Sequence, residues 1–361
     1  MCEDARITEE LVGKKVVQII KRAGILLALA VFCLSSAGPA WPPTPAVAQT
    51  SSAASMSGPM RAADSPLGLM VGDYVGGNIV FVNPETLAVE DTLPLLMEQQ
   101  DPGPVLRTKP LGVAWMNGLV YVGDERTGFI QVYVKPGAIK KNGKLQKKAK
   151  KIGKWELVSA NLTGFVIDGP SDIVADESLG WLFVASRADR TVYVLDETGA
   201  VLHTIGGPTS TNPINRPQGL ALDRGSERVY VSDEGDRNCG AFGSCSGAVR
   251  VYDYSGIFQG AISGRSGGQN FNFSRVQGVA VDSVGDVYLV DSWRGQVLVF
   301  EEVSANSWTG IGTFGSKGTG VKQLLLPMDV VVDEASSTVY VTNSMQRRVE
   351  IFAFEDMVVV P

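Results

Sequence analysis

The chain has 361 residues, 44% of them hydrophobic, 41 of them glycine, and a formal net charge of −6. It contains one histidine, His203, and four cysteines. A single imidazole excludes a zinc centre built on several histidines and leaves a Ser-His-Asp triad without a free choice of base. The absence of a Cys-x-x-Cys-His run excludes a covalently attached haem.

In chain order, residues 1–48 stand apart in composition. Lys14, Lys15, Lys21 and Arg22 precede the apolar run Ile25 to Leu34, which gives way to small residues and Ala46-Val47-Ala48. This order predicts a secretory signal peptide cleaved before Gln49. Its ten apolar residues are short for a bilayer span, so no membrane span is expected after cleavage. The expected location is the periplasm or exterior of a bacterial cell. Residues 49–65, rich in Ser and Ala, read as a flexible lead.

From residue 66 to 361, β-forming runs recur between turn clusters of Gly, Asp, Asn and Ser. The first unit, Leu69 to Asp73 followed by Asn78 to Val82, lacks an obvious opening strand. Pro110-Leu-Gly-Val-Ala-Trp115 opens the second unit, and after Ile130 to Val134 comes the segment 135–154, with nine lysines and no acid. Lys140, Lys141, Lys144, Lys147, Lys148, Lys150, Lys151 and Lys154 form its candidate binding set, beside Lys135. Without these nine lysines a mature chain of net charge −7 would stand at −16. Like-charge repulsion predicts an extended projection from the rim of the second unit.

Pro170-Ser-Asp-Ile-Val-Ala-Asp176 opens the third unit, and His203 falls in Val201 to Ile205, a predicted outer strand. Pro217-Gln-Gly-Leu-Ala-Leu-Asp223 with Arg228-Val-Tyr-Val-Ser-Asp233 is the fourth. Cys239 and Cys245 follow, a local disulfide being the expected pairing in an oxidising compartment. In the Gly-rich stretch 263–273, Phe271 and Phe273 are either exposed interface anchors or plugs between units. The clearest unit joins Val276-Gln-Gly-Val-Ala-Val-Asp282, Asp286 to Asp291 and Gln296 to Phe300. The last joins Pro327 to Asp333 and Thr338 to Asn343, and the strand-like tail Met357 to Pro361 is a candidate to complete it.

The landmarks 110, 170, 217, 276 and 327 are 60, 47, 59 and 51 residues apart, room for three or four short strands each. Such periods predict an all-β, six-bladed β-propeller in which each blade buries its apolar faces against its neighbours. The progression Pro-x-Gly-Val-Ala-Val-Asp, Val-Tyr-Val-x-Asp, Arg-Val-x-Val-Phe resembles the NHL repeat family. Three copies match closely, while the copy near residue 170 substitutes Trp181-Leu-Phe-Val184. The resemblance implies that the Pro-x-Gly strand lies innermost, along a central channel.

Peptidyl-hydroxyglycine lyases and streptogramin lyases, which resemble this family, need histidines that the chain does not place near a channel. A calcium-dependent lactonase of the gluconolactonase type needs only oxygen ligands. Asp172 and Asp329, in the third and sixth units, are expected to face one another across the ring, and with Gln218 and Gln277 they make a candidate calcium set. The same aspartates also read as acceptors for backbone amides at a strand start. Neither unit supplies the Glu and Asn constellation of a lactonase. Asp124 with Arg126, Asp233 with Arg237, Asp291 with Arg294 and Asn343 with Arg347 recur from unit to unit, which predicts a turn and ion-pair device.

These residues point to an exported, non-catalytic binding or scaffold protein; the alternative is a calcium-dependent hydrolase or lactonase with its site in the channel. The lysine segment suits an anionic partner, such as an acidic extracytoplasmic protein or a multihaem cytochrome. Lysine without interleaved aromatics or Arg gives no sequence-specific readout of nucleic acid.

Overall fold

The computed structural model describes residues 56–99, 105–138, 153–235, 247–264, 271 and 273–360. The predicted leader 1–48, seven of the candidate cations (Lys140 to Lys151) and both Cys239 and Cys245 lie outside the described residues.

Six small antiparallel sheets form a ring, one sheet per repeat. Blade 1 holds β1 (Pro59–Ala63), β2 (Leu69–Asp73), β3 (Asn78–Val82) and β4 (Val89–Pro94), and a small hairpin, β5 (Met97–Gln99) with β6 (Val105–Arg107), leads onward. Blade 2 holds β7 (Pro110–Met116), β8 (Leu119–Asp124), β9 (Phe129–Val134) and β10 (Glu156–Ser159). Blade 3 holds β11 (Pro170–Asp176), β12 (Trp181–Ser186), β13 (Thr191–Asp196) and β14 (Val201–Gly206). Blade 4 holds β15 (Pro217–Asp223), β16 (Arg228–Asp233), β17 (Ala248–Asp253) and β18 (Phe258–Ser263). Blade 5 holds β19 (Val276–Val281), β20 (Val287–Asp291), β21 (Gln296–Ser304) and β22 (Ser307–Phe314). After a short parallel pair, β23 (Ser316–Lys317) and β24 (Gln323–Leu324), blade 6 holds β25 (Pro327–Asp333), β26 (Thr338–Asn343) and β27 (Arg348–Ala353), and β28 (Val358–Val359) ends the described chain.

The second strand of every blade is buried almost from end to end. A strand covered on both faces by neighbouring blades should read as a continuous apolar run, as Val-Tyr-Val does here. The core is accordingly divided into six apolar clusters, each shared by two adjacent blades. The cluster between blades 6 and 1 closes the ring, with Tyr340, Val349 and Ile351 packed against Leu69, Val71, Val82 and Met56. Phe271 and Phe273 belong to the cluster between blades 4 and 5, with ring centroids 5.2 Å and 5.8 Å from Phe300. Both therefore serve as plugs between blades.

Each inner strand carries a bulge just after its first residue, at Pro59, Pro110, Pro170, Pro217, Val276 and Pro327. The acid that ends the second strand holds the start of the inner strand in place. Asp73 accepts the amides of Ser57 and Gly58, Asp124 that of Lys109, Asp233 those of Asn215 and Arg216, and Asp291 those of Ser274 and Arg275. Asn343 does the same for Leu325. The recurring Asp is thus a backbone anchor, whose removal would leave partly buried amides unpaired, at up to about 1–3 kcal/mol where burial is complete, as at Gly58. The expected ion-pair half of the device is weaker. Arg126 stands 3.9 Å from Asp124, Asp233 pairs at 2.7 Å with Arg250 of the third strand, and Arg294 reaches Asp291 through its backbone amide. Arg237 lies outside the described residues.

Two expectations are corrected. Blade 1 does have an inner strand, β1, which falls within the stretch read as a flexible lead, so the ring begins at Pro59. The C-terminal tail does not complete blade 6. Val358 and Val359 pair with Thr313 and Gly312 of β22, in blade 5. The cause is the 3₁₀ turn Phe354–Asp356, in which Asp356 accepts the Ala353 amide at 2.8 Å and Phe354 packs with Met357 into the cluster between blades 5 and 6. That turn directs the tail toward blade 5 and leaves blade 6 with three strands among the described residues.

Candidate functional site

The bulges bring the third residue of each inner strand to the channel axis: Arg61, Gly112, Asp172, Gly219, Gly278 and Asp329. The glycines permit close approach of neighbouring strands. A Cβ on Gly278 would lie 2.1 Å from Asp329 Oδ1 and 2.5 Å from Asp329 Cα, and one on Gly219 would lie 2.8 Å from the Gln277 carbonyl oxygen. Where no glycine stands the residue is charged, and of the three Arg61 reaches across the channel.

Arg61 is the group that the sequence reading missed. The residue is 2% exposed. Nε donates to the Ser171 carbonyl at 3.0 Å, Nη1 to Met328 O at 3.1 Å and Nη2 to Gln218 O at 2.5 Å. One guanidinium therefore ties blade 1 to blades 3, 4 and 6. Nη1 also lies 3.6 Å from Asp329 Oδ1.

Asp172 and Asp329 do converge on the channel. Asp172 accepts its neighbour's amide, Ile173 N, at 2.9 Å and Leu220 N of blade 4 at 2.8 Å. Asp329 accepts Ala62 N of blade 1 at 2.9 Å. Each aspartate is thus a cross-blade amide acceptor. Burial raises the pKa of both carboxyls; Arg61 opposes that rise for each, and the charge of Asp329 adds to it for Asp172. The other two candidate ligands are less well aimed. Gln218 turns its amide to Glu234 at 3.0 Å, and the buried Gln277 amide nitrogen finds no partner. A calcium ion here would have to displace Arg61 or compete with these amide donors for oxygens, whereas such sites use about six to eight oxygens. Among the described residues, no group of three or more His, Cys, Asp and Glu side chains is gathered where it could hold a metal.

Beyond Arg61, the inner strands of all six blades line an open cavity of about 240 Å³. Its walls include Val113, Leu220, Val279 and Val330, and Asp172 and Asp329 also line it. His203 is remote, on the outermost strand of blade 3, its Nε2 2.7 Å from the Tyr254 carbonyl oxygen. The lysine segment leaves between β9 and β10, at the end of the ring where inner strands finish. Its base is pinned: Gly153 N donates to Pro136 O at 2.7 Å, Lys135 pairs with Asp91, and Trp155 donates to Asp91 at 2.9 Å while stacking on Phe81. Lys154 is exposed beside that base.

Solved structures give the same architecture. The chain superposes on a chain of Kuenenia stuttgartiensis hydrazine synthase over 85% of its own length and 98% of that chain, with 12% identity and a TM-score of 0.51. It superposes on a gluconolactonase from Xanthomonas campestris over 86% of its own length and 88% of that chain, with 15% identity and a TM-score of 0.50. The shared feature is the propeller fold. At these identities the likeness extends to fold alone. No family model matches the sequence, and no curated protein does. No helix among the described residues is long and apolar enough to cross a membrane.

Proposed function

We propose that the protein is an exported NHL-type propeller that acts without catalysis, as a binding or scaffold module for an anionic partner such as an acidic extracytoplasmic protein or a multihaem cytochrome. The observation that carries this reading is Arg61. It supplies positive charge beside Asp329 and spends its hydrogen bonds on three blades, so the most conspicuous charges of the channel serve to hold the ring. The sole imidazole, engaged with a backbone carbonyl on an outer strand, supports the same reading. A rigid ring with its loops presented at either end is suited to recognition, because loops tolerate insertion while the scaffold fixes their positions.

The lysine segment is the proposed contact for the anionic partner: its pinned base fixes where the cations leave an otherwise acidic body. The test uses poly-L-glutamate as the probe. The chain from Gln49 should bind it in a salt-sensitive manner, and replacing the nine lysines of 135–154 by Gln should abolish binding. Undiminished binding by that variant would remove the segment from the account.

A further inference from the structure

We infer that the opposite face of the ring, where the inner strands begin, is a second docking surface, and that its occupant is a polypeptide segment combining acidic and large apolar side chains. This rests on the reading of the ring as a binding module and adds a surface that the lysine segment does not share. The face is built from equivalent turns between the second and third strands. In every blade the residue after the anchoring Asp, Ser or Asn donates its amide to the residue that precedes the inner strand: Tyr74 to Gly58, Glu125 to Lys109, Arg187 to Gly169, Glu234 to Arg216, Ser292 to Arg275 and Ser344 to Leu326. The turn tips therefore all stand on this one face.

In three consecutive blades the tip is a large apolar residue held in solvent: Trp293 in blade 5, Met345 in blade 6 and Val75 in blade 1, at 58%, 63% and 60% exposure. The fold does not ask for this. The same closing bond, from Gly77 to Asp73, Gly128 to Asp124 and Gly295 to Asp291, forms whether the tip is Val75, Arg126 or Trp293. Scattered exposed apolar residues are ordinary, but these occupy one structural position in neighbouring blades.

The remaining arc of the face mixes charges, with cations in excess along its groove. Across blades 2 to 4 a groove of about 590 Å³ is lined by Lys109, Arg126, Arg187, Arg190 and Arg216 against Glu125 and Asp168. Arg190 directs its guanidinium to neutral acceptors, Asn215 Oδ1 at 2.6 Å and Ile214 O at 3.4 Å. The two arcs are joined at each end: Lys109 lies over the Tyr74 ring at 5.1 Å, and Arg275 over the Trp293 ring at 5.9 Å. Trp, Met and Arg are the residues that interface centres favour. Apolar and basic groups occupy separate arcs, and the basic arc is interleaved with acids that pair two of its arginines, Arg187 with Glu125 and Arg216 with Glu234, while Arg190 keeps to neutral acceptors. A polypeptide can match both arcs; a uniform lipid surface cannot.

The test is selection of a random peptide library on the immobilised chain from Gln49. Peptides that pair Asp or Glu with Trp, Phe, Leu or Met should be enriched. A synthetic copy should lose at least about tenfold in affinity on Trp293→Ala and again on Arg190→Gln, with melting of both variants unchanged. Absence of such enrichment, or equal affinity for wild type and both variants, overturns the inference. So does Trp293-dependent binding to vesicles of phosphatidylcholine and phosphatidylglycerol, or a dimer that Trp293→Ala dissolves. A peptide held equally by both variants but lost when the segment lysines become Gln would preserve the binding-module reading and remove this face from it.

Discussion

Replacing Arg61 by Ala is the sharpest perturbation that the fold offers. The substitution strips hydrogen bonds from the carbonyls of Ser171, Gln218 and Met328 and leaves Asp329 and Asp172 without the cation that opposes their burial. Losing one partner of a buried charge set costs about 3–5 kcal/mol. For a ring of roughly 300 residues, with an unfolding entropy near 2.1 cal/mol/K per residue, this corresponds to a fall in melting temperature of about 5–8 °C. The pH dependence has a defined sign. The folded-state pKa values of Asp172 and Asp329 lie above the ordinary value of 3.8, so the native ring binds protons more tightly than the unfolded chain. Stability from this pair is complete below that value and declines as pH rises through the raised values. Without Arg61 only the backbone amides oppose the rise, and Arg61→Ala should lose more stability at pH 8 than at pH 5. The assay is thermal unfolding by circular dichroism at both pH values. A variant melting within about 1 °C of wild type at both would refute the reasoning, since it would mean that the guanidinium carries none of the ring's closure.

Two further outcomes follow from particular contacts. Gly278→Ala pushes a methyl group into Asp329 of the next blade; it should destabilise the ring by about 1–3 kcal/mol, seen as a lower urea midpoint with an unchanged slope. Cys239 and Cys245, if joined as the sequence predicts, should resist alkylation in the non-reduced mature chain and take up two labels after reduction. Uptake of label without reduction would refute the pairing.

Much of the fold was legible because each blade repeats the same solution. Pro-x-Gly marks the bulge and close approach at blades 2 and 4, and Val-Tyr-Val marks a strand buried on both faces. Strand β1 was hidden because Pro59-Met-Arg-Ala-Ala63 has no β-branched residue. The missed signal was spacing: Pro59 lies 51 residues before Pro110, within the range of the other units. Met56 also stands three residues before its proline, as the buried Ile167, Ile214 and Leu324 do.

The convergence of Asp172 and Asp329 was readable from phase in the repeat. What fills the space between them was not, because Arg61 reaches carbonyls 110, 157 and 267 positions away in sequence. The tail's strand character was legible too, but its partner was decided by the turn at Phe354–Asp356. The anchoring role of the recurrent aspartates concerns backbone amides, which a search for charge pairs passes over.

The measurement that tests the central claim most directly is hydrolysis of a panel of lactones and aryl esters, with and without added calcium, by the chain from Gln49 and by its Asp172→Asn, Asp329→Asn double variant. A channel held shut by Arg61 predicts no calcium-dependent turnover above that of the double variant. Calcium-dependent turnover in the wild type that the double variant loses while remaining folded would contradict the account and make the channel an active site.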